Sequence, residues 1–114
     1  MEEWKDIVGY EDFYQISNKG NVKSKDRYYN ATYLKNNPIV FRKGVLLRPR
    51  SNKYGYLTVC LKKHSKGKTK PVHKLVAIAF IDNPLNKMCV DHINGDRTDN
   101  RVENLRWVTI KENQ

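Results

Sequence analysis

Toward its C-terminal end the chain reads, from Val90 to Glu112, "VDHINGDRTDNRVENLRWVTIKE". A carboxylate, Asp91, stands beside an imidazole, His92, ahead of a loop crowded with Asn and Asp. Two kinds of chemistry account for such a cluster. Asp and Asn shape turns by bonding to nearby backbone. Oxygen donors can also hold a hard dication while an imidazole moves a proton, the equipment needed to hydrolyse a phosphodiester. A calcium loop fits poorly, because no register places carboxylates, Gly and a terminal Glu at the required spacing. Asp96 and Asp99 read as loop shapers. Neighbouring side chains on a strand point to opposite faces. If Asp91 and His92 both act, the backbone leaves regular β geometry there or the substrate lies across the strand end.

These residues need elements to position them. "CVDHI" and "NLRWVT" read as two short strands around the polar loop. Thr109 followed three residues later by Glu112 is a capping box, so a helix is expected from Ile110. Before the loop, "VHKLVAIAFI" has a helical period, with Val72, Leu75, Val76, Ala79 and Phe80 on one face and Pro84 after the stop. His73, at that helix start, reads as a support residue. Residues 45–72 read as a basic β-ribbon: in "GYLTVCLKK", Leu57, Val59 and Leu61 alternate with Thr58, Cys60 and Lys62. "HSKGKTK" is its expected turn. Residues 28–44 have weak periodicity and contain Asn36-Asn37-Pro38, which suggests an irregular insertion. In residues 1–27, Asn18-Lys19-Gly20 separates two short runs, a hairpin signal with Gly20 available for positive φ, and Trp4 and Ile7 are expected to pack on it.

Composition narrows the partner. The 114 residues carry 22 Lys and Arg against 12 Asp and Glu, a net charge of +10. From Arg27 to Ile81 there is no acidic residue at all. A long span of one sign repels itself, and a polyanion relieves the repulsion. Tyr28, Tyr29, Tyr33, Tyr54 and Tyr56 are interleaved with the cations, which favours nucleic acid over an acidic protein or a membrane surface. No apolar run is long enough to span a bilayer. The acidic opening "MEEWKDIVGYEDF" has no signal-peptide pattern, so a cytoplasmic location is expected. Cys60 and Cys89 are too few and too far apart for a disulfide framework or a structural zinc site.

"VHKLVAIAFIDNP", then "VDHINGDRTDNRVENLRWVT" and "EN", together resemble the HNH endonucleases, the ββα-metal type found in phage-encoded and homing nucleases. "WKDIVGYEDFYQISNKGNVKS" is similar to the small nuclease-associated modular domain that often precedes them. The resemblance covers most of the chain. It implies that Asp91 is a metal ligand and His92 the general base. It further implies that Asn104 is the middle asparagine, a loop-fixing member of the cleavage centre, and that Asn113 is a second metal ligand on the helix. The implied cofactor is one divalent ion, Mg²⁺ or Mn²⁺, left with open positions for water and phosphate. Family members usually continue through a full helix beyond "EN". The five residues after Thr109 would fray alone, making Asn113 a poorly held ligand unless a partner completes the site.

The expected architecture is therefore α+β: a small N-terminal antiparallel β region and a basic β-ribbon, followed by a C-terminal ββα-metal motif. Residues 1–44 form the modular domain with its insertion, and residues 45–114 the nuclease domain. The expected activity is metal-dependent endonuclease, nicking duplex DNA, acting in the host cytoplasm or nucleoid if phage-encoded. Charge nominates Arg42, Lys43, Arg48, Arg50, Lys53, Lys62, Lys63, Lys66, Lys68 and Lys70 for phosphate contacts. Arg97 and Arg101, beside the site, are candidates to clamp the scissile strand. One active site gives one strand break, so double-strand cutting calls for a homodimer or two visits. The alternative is a DNA-binding protein of HNH descent that no longer cuts because its metal helix is short. A basic RNA-binding protein is a third reading that charge alone permits.

Overall fold

A computed structural model describes residues 1–113. Among these residues, ten strands form four antiparallel sheets and there is a single α-helix. The first sheet joins β1 (Trp4–Asp6), β2 (Tyr14–Ser17) and β3 (Val22–Ser24). Its β2–β3 turn has the expected Gly20, at φ +88°. Ser17 braces that turn, its Oγ accepting the Lys19 and Asn21 N–H groups.

The segment expected to be irregular pairs instead as a hairpin, β4 (Arg27–Asn30) with β5 (Ile39–Arg42). Tyr, Val, Ile and Phe are strong strand formers. The period was hidden because neither strand buries a residue, so apolar side chains stand on both faces and no alternation marks them. Tyr28 lies against Phe41 across the pair, ring centroids 5.1 Å apart.

The third sheet runs β6 (Arg50–Ser51), β7 (Leu57–Lys63), β8 (Lys66–Pro71). The β7–β8 turn is far tighter than "HSKGKTK". Only His64 and Ser65 form it, both with positive φ, and Lys66 already pairs with Lys63. That geometry matches the right-handed twist of the flanking strands. The rest of the expected turn is β8 itself, whose Lys-rich composition suits an edge strand that must not recruit another.

α1 (Val72–Phe80) follows directly, and its Val72, Leu75, Val76 and Ala77 are buried. Lys5 donates to the Ala79 carbonyl at 3.1 Å, placing a cation at the negative end of the helix. β9 (Cys89–His92) and β10 (Leu105–Val108) form the last sheet, joined by the polar loop and a 3₁₀ turn at Val102–Asn104. Ile16 and Val22 from the N-terminal sheet, with Ile7 just past β1, share one buried cluster with Leu61, Val76, Val90 and Leu105. Among the described residues, no helix is long and apolar enough to cross a membrane.

Candidate active site

The β9–β10 register decides what faces the core. Val90 and His92 point inward, each 6% exposed, while Cys89 and Asp91 point the other way. β9 stays regular through His92, its last residue, so the two side chains do diverge. Asp91 lies opposite Arg106. The Arg106 Nε and an Nη both meet the same carboxylate oxygen at 2.9 Å, which leaves Oδ1 uncommitted among the described residues. The Asp91 side chain remains 28% exposed.

The His92 ring is held on several sides. Its Nε2 lies 2.8 Å from the Asn100 amide oxygen. An amide oxygen only accepts, so Nε2 carries the proton and donates. In the neutral ring the lone pair then resides on Nδ1, the nitrogen able to take a proton. Tyr56 stacks on the ring at 5.9 Å between centroids, and the His73 ring stands 5.0 Å away. Arg97 lies over the far side of this column, 4.8 Å from the Tyr56 ring, and bonds the Tyr54 carbonyl. The Asn52 side chain fixes that turn by accepting the Tyr54 and Tyr56 N–H groups.

His73, expected from its place at the helix start to be a support residue, stands with its ring beside that of His92. Burial, reinforced by His92 and Lys74, holds it down at about 4. It is therefore neutral near pH 7, and its Nδ1 is buried without a partner.

The loop is organised by Asn104. Its Oδ1 accepts the Asn94 N–H, and its Nδ2 donates to Asn94 Oδ1 and to the Asp99 carbonyl. Both Nδ2 protons and the Oδ1 of Asn104 are thus engaged within the loop, which suits the loop-fixing place expected of it. Asp96 and Asp99 also serve the loop. Asp96 accepts from the Thr98 N–H and hydroxyl, which lowers its pKa. Asp99 takes two bonds from Arg101 at 2.8 Å and is held at about 2 by that guanidinium. Arg101 is thereby committed within the protein.

Beyond β10, Thr109 and Glu112 form the expected capping box. The Thr109 N–H donates to Glu112 at 2.9 Å, and the Glu112 N–H donates to the Thr109 hydroxyl at 3.1 Å. Lys87 pairs with Glu112 at 3.0 Å. The Asn113 N–H reaches the Thr109 carbonyl, closing a single helical turn among the described residues. This turn departs from the Cys89 end of the hairpin, where Val108 pairs with Cys89, whereas His92 ends β9 at the loop.

The basic residues divide into two groups. Cross-strand pairing puts Lys62 with Gly67, and Lys68 with Leu61, on opposite faces of the β7–β8 ribbon. One face adjoins a hollow lined by Arg27, Arg42, Lys43 and Lys62, next to another lined by Arg48 and Arg50. Lys63, Lys66, Lys68 and Lys70 gather on the other, beside Val8 and Tyr10. Lys53 stands over the Tyr54 ring, 5.1 Å from its centroid, on the turn bonded by Arg97.

Three residues that matter here were not separable by sequence reasoning. Asn100 looked like any other turn-forming Asn of the loop, and only its 4% exposure marks it out. Tyr56 looked like one of several aromatic residues of a basic span. Arg106 gave no sign of its partner until the strand register was known.

Comparison with known proteins shows what the chain resembles. Residues 2–62 match the NUMOD4 motif, and residues 70–114 match an HNH endonuclease family. The DNA endonuclease I-HmuI of Bacillus phage SP01 is 41% identical over 111 residues, covering 97% of this chain and 55% of that protein. An uncharacterised HNH endonuclease of Acanthamoeba polyphaga mimivirus is 42% identical over 117 residues, covering 98% of this chain and 25% of the relative. A solved structure of the HNH homing endonuclease I-HmuI, described for DNA binding and cleavage, superposes with a TM-score of 0.75 over 97% of this chain and 55% of that one. The chain thus spans about half the length of I-HmuI and about a quarter of the viral relative.

Proposed function

The chain belongs to the NUMOD4-bearing HNH endonucleases, and from that premise we propose that it is a metal-dependent endonuclease that nicks duplex DNA. The observation that carries the reading is the tethered imidazole at the end of β9. Its Nε2 is fixed by Asn100, its Nδ1 is left as the basic nitrogen, and a carboxylate with one uncommitted oxygen is its chain neighbour.

In the proposed reaction His92 Nδ1 takes a proton from the attacking water. Asn100, Tyr56 and His73 prevent the ring from turning away, so the lone pair is presented without reorganisation. Because His92 closes its strand, the substrate lies across the strand end, where the divergence of Asp91 and His92 is no obstacle.

The donors suit a hard dication. A carboxylate oxygen from Asp91 and a carboxamide oxygen from Asn113 would hold it, and both are oxygen ligands of the kind Mg²⁺ and Mn²⁺ prefer. Two such protein donors would leave positions on the ion for water and phosphate. When bound, such an ion supplies positive charge to the phosphate and leaving oxygen. Arg106 fixes the Asp91 carboxylate from one side and directs its free oxygen.

Duplex DNA is the proposed substrate on the strength of the acid-free basic span and of the relative described as binding and cleaving DNA. Relaxation of supercoiled plasmid in Mg²⁺ or Mn²⁺ tests the reading. Open circles are expected from the wild-type chain and none from His92→Ala. Tight binding without any breaks would leave a DNA-binding protein of nuclease descent, and preference for RNA would point elsewhere.

A further inference from the structure

We propose that the Ser17–Asn21 turn of the NUMOD4 motif is a positioning element for His92, acting through Asn100. The inference rests on the reading of His92 as the base, and it goes beyond it by assigning part of the catalytic geometry to the N-terminal sheet.

A short series of contacts carries the argument. Ser17 is fully buried and braces the turn through its hydroxyl. The Asn18 carbonyl accepts the Val102 N–H at 2.9 Å, pinning the turn to the far end of the catalytic loop. Gly20 then lies flat against Asn100. A Cβ added to Gly20 would stand 2.9 Å from the Asn100 Cβ and 3.1 Å from its carbonyl oxygen. The first distance is shorter than packed carbons tolerate, and the obstacle is the root of a side chain that cannot swing aside. Asn100 in turn holds His92 Nε2 at 2.8 Å, with both residues buried.

Glycine is required here twice: for the positive φ, and for the empty space in which Asn100 seats. Moving Asn100 by a few tenths of an ångström lengthens its bond to the imidazole. The ring then loses its tautomer and its aim. A buried hydrogen bond of this kind corresponds to about a ten- to hundred-fold change in rate. Asn100 and Gly20 touch no substrate in this scheme, so DNA affinity is unaffected.

The test separates positioning from folding. Gly20→Ala is expected to lower kcat about ten-fold or more, with DNA affinity within about two-fold of wild type. Gly9→Ala is the control, because Gly9 has nearly the same φ, +85°, but a Cβ added there would meet nothing within 4 Å. It incurs the same backbone strain and should keep its kcat. Asn100→Asp, which keeps an acceptor, should retain more activity than the isosteric Asn100→Leu. Adding Gly20→Ala to Asn100→Leu should lower the rate no further. Thermal melts establish that each variant is folded.

A second readout needs no cleavage. Nitrogen-15 NMR of the His92 ring at one fixed neutral pH should show protonation at Nε2 in the wild type and in Gly9→Ala. A mixture of ring forms is expected in Gly20→Ala and Asn100→Leu. Equal kcat losses in Gly20→Ala and Gly9→Ala, or an unchanged His92 ring in folded Gly20→Ala, would overturn the proposal. If the wild-type chain cuts nothing, the function proposed above fails, and the ring spectra alone decide whether this turn positions His92.

Discussion

Two histidines stand side by side in this site, and their surroundings give them different work. His92 is bonded through one nitrogen and free at the other. His73 is enclosed, with an unpartnered Nδ1 and a pKa pushed down to about 4, chiefly by burial. A histidine whose folded pKa is depressed stabilises the fold fully above its unfolded value, about 6.5. That contribution is lost as pH falls from there through about 4, because the unfolded chain then binds the proton and the folded chain does not. The protein should therefore lose about 1–3 kcal/mol between about pH 7 and pH 4.5. Asp99 and Glu112, both held at about 2 by their hydrogen-bond partners, contribute their own loss only at lower pH. Urea titrations at the two pH values check this: His73→Phe should flatten the difference, and an unchanged difference would assign the acid sensitivity elsewhere.

At the level of elements, the β7–β8 ribbon sorts the cations by face. Arg48, Arg50 and Lys62 share theirs with the hollow lined by Arg27, Arg42 and Lys43. β6 leads directly into the turn that bears Tyr54 and Tyr56, so chain order brings this ribbon next to the site. Each phosphate contact contributes about 0.9 to the salt slope of DNA binding. Replacing Arg48, Arg50 and Lys62 by Ala should flatten the slope by about 2–3, and replacing Lys66, Lys68 and Lys70 by less than about 1. The reverse ranking would put the duplex on the opposite face. The sequence carried much of this architecture. Helix α1, the Gly20 turn and the Thr109–Glu112 capping box were all legible, because each rests on local spacing or on one residue's φ. The β4–β5 hairpin was not, since both its faces are exposed and Tyr28, Tyr29, Val40 and Phe41 carry no alternation. β8 reads as turn in the sequence because lysines and a glycine look alike in a loop and on a charged edge. Asn100 was invisible because its role depends on a contact with Gly20, 80 positions away in the chain.

Across the whole molecule, the two motifs are joined by packing as well as by sequence. Ile16 and Val22 enter the same buried cluster as Val90 and Leu105, and the Asn18–Val102 bond ties the first sheet to the catalytic loop. The hairpin that presents Asp91 and His92 is thus held from behind by the N-terminal sheet and by α1, whose following residue, Ile81, accepts the Trp107 indole N–H at 3.0 Å. On the proposed reading, a rigid mounting of this kind lets two adjacent residues divide their labour, Asp91 toward a dication and His92 toward a proton. Calorimetric titration with Mn²⁺ tests that division most directly. The wild-type chain and His92→Ala should bind one ion with similar affinity, and Asp91→Ala should bind it at least about ten-fold more weakly while keeping its metal-free affinity for DNA. Mn²⁺ binding that survives Asp91→Ala but is lost in His92→Ala would contradict the account.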